Sequence, residues 1–144
     1  MTDKCTKSSE TSDTIKQICI DNEVILETQI IELTGTKILC MSGAVDAYSL
    51  PLFREVMAEI LSQVDKDLII DMNNVIYMDS SGFGVLISAI KRLIPQAGTI
   101  NLVGCSSSIC RLMHITHLDT IISLHQTIDD AMLAISRSDK YGSI

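Results

Sequence analysis

The feature that most constrains this chain is the alternation of short β-branched runs with longer amphipathic stretches. Residues 68–72 (LIIDM) form an apolar run of strand length. Such a run suits a strand covered on both faces, as in the parallel part of an α/β sheet. After it, Phe83, Leu86, Ile87, Ile90, Leu93 and Ile94 recur at helical spacing, with Lys91 and Arg92 in the last turn and Pro95 and Gly98 beyond. Before it, Leu52, Phe53, Val56, Met57, Ile60, Leu61 and Val64 do the same. Ser49 is a natural N-cap for that earlier helix, and Pro51 sits in its first turn, where a missing N–H costs nothing.

The flanks extend the pattern. VILETQIIEL (residues 24–33) and TKILCMSG (36–43) read as strands joined at Thr34-Gly35-Thr36, with Gly43 ending the second. Asn73-Asn74 reads as a turn. Residues 99–103 and 121–124 read as further strands, and 106–115 as a helix. Thr127 with Asp130 resembles a capping box opening a last helix through Ile135. The order predicts one α/β domain. Its sheet is mixed and mostly parallel, with four to five strands, an antiparallel edge, and about four α-helices.

The 144 residues suit a single domain, and 47% apolar content is enough for a core. Residues 1–21 are polar and read as a flexible tail, 22–137 as the folded unit, and 138–144 as a loose end. Aromatics are only 3% and the formal charge is −7. Both argue against a nucleic-acid partner, which wants stacking rings and cationic side chains. No apolar run reaches the roughly 18 residues of a membrane span. No apolar leader opens the chain, so a cytoplasmic protein without a membrane partner is expected. The five cysteines are irregularly spaced and include no C-x-x-C pair. They are expected to be reduced thiols, and zinc has no paired ligands.

One short segment invites chemistry. Asp79-Ser80-Ser81-Gly82 lies between a β-rich run and an amphipathic helix. A serine there can cap the helix while Gly82 lets the backbone turn tightly. The same position suits a phosphate, because a helix N-terminus presents free N–H groups and partial positive charge. Asp79, and Asp46 after the second strand, would oppose that phosphate. The surroundings of Ser80 are not a G-x-S-x-G elbow, and no phosphate-binding glycine loop occurs. His114, His117 and His125 read as surface or packing residues. No catalytic residue, metal or cofactor is expected.

SGAVDAYSLPLFREV (42–56), LIIDMNNVIYMDSSGFGVLISAIKRL (68–93) and ICRLMHITHLDTII (109–122) resemble the STAS-domain anti-sigma factor antagonists of bacteria. The resemblance spans about residues 23–135 and rests on D-S-S-G-[LF]-G with V-D-x-Y-S-x-P upstream. It implies a regulatory binding protein that is not an enzyme. Its partner would be an anti-sigma factor that is also an ATP-dependent serine kinase. Unphosphorylated antagonist binds that kinase and frees the sigma factor. Phosphorylation of Ser80 ends the binding, and a PP2C-type phosphatase restores it. Ser81 is the second candidate acceptor. Asp46, Asp79, Ser80, Ser81, Gly82 and Phe83 would form the docking surface of a protein that is a monomer when free. The chain departs from the family pattern at Ala44, where a glutamate is common, and at His117, where many members carry glycine. The competing expectation is an adaptor subunit of a sensory scaffold or transport assembly, with the DSSG loop serving only as a cap.

Overall fold

The computed structural model describes residues 15–64 and 66–142. Six strands form one sheet in the order β1 (Ile15–Ile20), β2 (Glu23–Leu33), β3 (Thr36–Val45), β4 (Asp67–Met78), β5 (Thr99–Val103), β6 (Ser123–His125). The first three pair antiparallel and the last four pair parallel, so the sheet is mixed as expected, with one more strand than the highest expected number. Helices α1 (Leu50–Leu61), α2 (Ser80–Leu93), α3 (Ser107–Ile115) and α4 (Ile128–Gly142) complete the domain.

The leading strands are linked by two-residue turns. Asp21 and Asn22 (φ 54° and 66°), then Thr34 and Gly35 (φ 47° and 85°), have the paired positive φ of turns whose twist matches a hairpin. Each parallel link then carries a crossover. The strands alternate their side chains between two cores. Leu68, Ile70 and Met72 of β4 enter the larger core with Leu39, Phe53, Ile60 and Leu86. Ile69 enters a smaller one with Ile38, Val103 and Ala131, closed by Ile128, Met132 and Ile135 of α4. Residues 68–72 of β4 are therefore covered on both faces, as their composition predicts.

Several boundaries differ from the sequence reading. Residues 15–20, read as part of the tail, form edge strand β1. Their polar neighbours hide a strand that long-range contacts hold: Ile18 pairs with Leu26, and Lys16 Nζ reaches Glu55 at 2.8 Å and Glu59 at 3.0 Å on α1. Residues 1–14 of the predicted tail lie outside the described residues, and Asp21 belongs to the turn into β2. The predicted loose end is helical to Gly142, because a helix needs an apolar stripe only where it packs. Ser136 and Arg137 are exposed beyond the last buried turn of α4, and the segment's final two residues lie outside the described range.

Asn73-Asn74 makes no turn. β4 runs straight through it and absorbs an extra residue as a bulge, with Cys40 opposite Asp71 and Ser42 opposite Asn74. The Asp71 carboxylate accepts from Asn73 N at 3.0 Å and from Nδ2 at 2.8 Å, which satisfies the bulged segment. Gly43 does not end β3, which continues to Val45. Cys105 and Cys110 are free thiols, whereas Cys19, on β1, is disulfide-bonded, a bridge that the irregular spacing does not signal.

Candidate functional site

β3 and β4 are parallel neighbours, so both deliver their C-terminal ends to the same edge of the sheet. That edge is where open α/β sheets present sites. The loop after β3 is held by its own polar groups. Asp46 Oδ1 accepts from the backbone N–H of Tyr48 at 3.0 Å and of Ser49 at 3.1 Å. Ser49 stands at the N-cap of α1 but makes no capping bond. Its buried hydroxyl donates to Ala44 O at 2.7 Å and accepts from Asp46 N at 2.9 Å. The Asp46 carboxylate thus holds the two N–H groups just before α1, while the Ser49 side chain ties the loop back to the end of β3.

The loop after β4 is tied to the first one. Asp79 N donates to Val45 O at 3.1 Å, one residue before Asp46. Asp79, in extended conformation, is the N-cap of α2. Its Oδ1 accepts from Ser81 N at 3.0 Å, from Gly82 N at 3.4 Å and from the Ser81 hydroxyl. The Ser81 hydroxyl is the main reason the Asp79 carboxyl lies below its ordinary pKa, with the amides of Gly82 and Ser81 adding to it. Asp79 therefore does the capping that the sequence reading allowed to serine.

This division leaves the two serines in different situations. Ser81 is partly buried, bonded to Asp79, and faces a groove of about 490 Å³ between α1 and α2 that Arg54 and Arg92 also line. Ser80 is exposed at the first position of α2, and no hydrogen bond holds its hydroxyl among the described residues. It lies on the rim of another groove, about 640 Å³, between α2 and α3, with Phe83, Ile87, Leu112 and Leu118 along it. Gly82 is buried against β3 and β4. A Cβ there would lie 2.6 Å from Met78 Cγ and 3.0 Å from Val45 Cγ1, so the glycine sets how closely α2 approaches the strands.

The predicted residues are therefore only partly united. Asp79, Ser80 and Phe83 share the α2–α3 groove, Ser81 faces the other groove, and Asp46 is joined to them through Val45 while its carboxylate is occupied in its own loop. Sequence reasoning missed an apolar collar around this edge. Tyr48, Ile76 and Tyr77 are 68%, 78% and 53% exposed. A second register shift, with Gly43 opposite Val75 but Ala44 opposite Tyr77, leaves Ile76 unpaired and outward. The only sequence signal was two large apolar residues at the end of a strand.

His114 is exposed and pairs with Asp119 at 3.1 Å, while His125 Nε2 lies 3.0 Å from Asn101 Oδ1. His117 adopts φ 62°, ψ 18°, which accounts physically for a preference for glycine at this position. Among the described residues, no group of three or more His, Cys, Asp and Glu side chains could hold a metal ion. No helix among them is long and apolar enough to cross a membrane.

Fold and site together define a class: a small mixed α/β domain with an antiparallel leading hairpin and a serine-bearing, aspartate-capped helix start at the edge of its parallel strands. The STAS domain model matches residues 27–131, and the chain belongs to that family. It is 37% identical over 84 residues to the anti-sigma-B factor antagonist of Bacillus subtilis, covering 58% of this chain and 76% of that protein. A crystal structure of an anti-sigma factor antagonist from Mycobacterium paratuberculosis superposes with TM-score 0.71 at 24% identity, covering 77% of this chain and 94% of that one. The Bacillus cell fate determinant SpoIIAA in its phosphorylated form superposes with TM-score 0.60 at 21% identity, covering 75% and 98%. At those identities the two solved structures speak for the fold.

Proposed function

We propose that this chain is an anti-sigma factor antagonist controlled by phosphorylation at Ser80. In its unphosphorylated form it binds an anti-sigma factor that is also an ATP-dependent serine kinase, and the sigma factor is released. The kinase modifies Ser80 and binding ends. A PP2C-type phosphatase reverses the step, and the cycle runs in the cytoplasm. The chain itself contributes docking and a phosphate acceptor, not catalysis.

The observation that carries the reading is the separation of tasks at Asp79-Ser80-Ser81. Asp79 caps α2, so Ser80 is exposed and spare. The names of similar proteins support the reading: the Bacillus subtilis relative is an anti-sigma-B factor antagonist, and SpoIIAA is known in a phosphorylated form. A phosphate on Ser80 adds about −1.5 to −2 charges to a chain already at −7. Asp79 Oδ1 already accepts from the Ser81 and Gly82 N–H groups, so the phosphate meets a carboxylate instead of free donors. Its charge is displayed at the surface, in the groove that Tyr77 and Phe83 also line. A partner that covers this groove must desolvate the phosphate, and that is costly unless it supplies cations.

The test uses the purified chain and its cognate kinase. Wild type is expected to gain one phosphate, at Ser80, and then to dissociate. Ser80→Ala is expected to remain bound in the presence of ATP, and Ser80→Asp to bind at least about tenfold more weakly, a loss of about 1.4 kcal/mol. Phosphate mapped only to another residue, or equal affinity of the two variants, would overturn the proposal. Recovery of scaffold or transporter subunits without any kinase would favour the adaptor role.

A further inference from the structure

A further cavity, about 650 Å³, lies at the C-terminal ends of β5 and β6 and the start of α3. Its walls include Cys105, Cys110, Arg111, Leu124 and His125. Ser106 is the N-cap of α3, its hydroxyl accepting from Ile109 N at 3.3 Å. Cys105 therefore stands just before the cap and Cys110 four residues inside the helix. Those two positions pack together in the hydrophobic staple that fixes how a chain enters a helix. Here both members of the staple are thiols. Cys110 Sγ donates to Cys105 O at 3.7 Å, both residues are half-buried, and both are free. The cavity gives a small molecule access to the pair.

We propose that Cys105 and Cys110 form a dithiol site that a low-molecular-weight disulfide of the glutathione type oxidises to an intramolecular disulfide. Burial pushes the Cys105 thiol up to about 12, and the charge and hydrogen bond of neighbouring Cys110 push in the same direction. Cys105 thus stays protonated at neutral pH, and the first attack falls to Cys110. The Cys110 thiolate gives its electron pair to one sulfur of the external disulfide. The external S–S bond breaks, and its other half leaves as a thiolate that takes up a proton. With Cys110 now in a mixed disulfide, its negative charge no longer opposes ionisation of Cys105. Cys105 then loses its proton and attacks the Cys110 sulfur, and the second external thiolate leaves and is protonated. Two protein thiols are oxidised, and one external disulfide is reduced to two thiols. The new bond would tie down the first turn of α3, the helix that supplies Leu112, and its C-cap Thr116, to the groove beside Ser80.

The pair can be tested in the full chain. Reduced protein is treated with oxidised glutathione at neutral pH, alkylated, and digested with trypsin without reduction. Cleavage after Arg92 and Arg111 places both cysteines in one peptide, residues 93–111. That peptide is expected to lose two hydrogens and to resist alkylation. Cys105→Ser is expected to stop at a glutathione adduct on Cys110, and Cys110→Ser to leave Cys105 alkylatable. Two alkylated thiols, separate adducts on both cysteines, or pairing of either with another cysteine would overturn the proposal. So would a glutathione adduct on Cys105 in Cys110→Ser formed as fast as the one on Cys110 in Cys105→Ser.

Discussion

Gly43→Ala should cost far more than a glycine-to-alanine change usually does. Gly43 has φ 118° and faces β2 across the Leu26–Gly43 pair. A Cβ built there would lie 2.1 Å from Ile25 O, 3.0 Å from Ile25 C and 3.1 Å from Leu26 Cα. All three atoms are backbone, so no rotamer change relieves the clash, and β2 can retreat only by stretching its ladder. Holding alanine at this φ costs about 1–3 kcal/mol, and overpacking about as much again. The sum is roughly 4 kcal/mol, a large part of the ~5–15 kcal/mol that holds a typical domain together. At about 3 °C per kcal/mol for a chain of this size, Tm should fall by roughly 12 °C. Gly35→Ala is the control. Its φ is 85°, but no atom lies within 4 Å of the added Cβ, so only the backbone cost remains, about 1–2 kcal/mol. Urea unfolding followed by far-ultraviolet circular dichroism measures both. If Gly43→Ala comes within about 1 kcal/mol of Gly35→Ala, the close approach of β2 and β3 is not the constraint claimed. The position matters for the site because Val45, two residues on, accepts the Asp79 N–H that locates the start of α2.

His117→Gly should relieve a left-handed backbone, worth about 1–2 kcal/mol, against the greater freedom of glycine when unfolded, about 0.4–1 kcal/mol. A net gain near 0.5–1 kcal/mol is expected, and an unchanged or lower Tm contradicts it. The Asp79 carboxyl titrates lower in the folded chain than in the unfolded one, so its contribution to stability is present above the unfolded pKa and lost as pH falls through the folded one. Asp79→Asn should accordingly flatten the acid limb of a stability-versus-pH curve, and identical limbs would exclude this linkage. Lys16 is raised by Glu55 first and Glu59 next, so its pairs contribute below the ordinary lysine value and lose that contribution as pH climbs through the raised one. Lys16→Met should cost less than about 1 kcal/mol at neutral pH, the usual limit for exposed pairs, and should speed amide exchange in β1 before other strands. Uniform exchange across the sheet would show that these pairs do not hold the edge.

Much of the architecture was legible because it is written over a few residues at a time. Residues 68–72 announce a doubly covered strand, the stripe from Phe83 to Leu93 announces α2, and Thr34-Gly35 announces a hairpin turn. β1 was illegible because its stability comes from β2 and from two glutamates about 40 residues away. Asn73-Asn74 misled for a similar reason. Its turn preference is local, while the ladder to β3 and the Asp71 side chain decide its conformation.

The same division runs through the site. The sequence by itself determined that a strand hands over to a helix at Asp79-Ser80-Ser81-Gly82, since periodicity, capping chemistry and a glycine suffice for that. Only the tertiary structure decided which group caps, which hydroxyl is spare, and what surrounds it. Asp79, Ser80 and Ser81 compete for the same N–H groups, and their order along the chain does not settle the contest. The extended backbone at Asp79, anchored on Val45 O from the neighbouring strand, aims its carboxylate at Ser81 and Gly82 and leaves Ser80 facing outward.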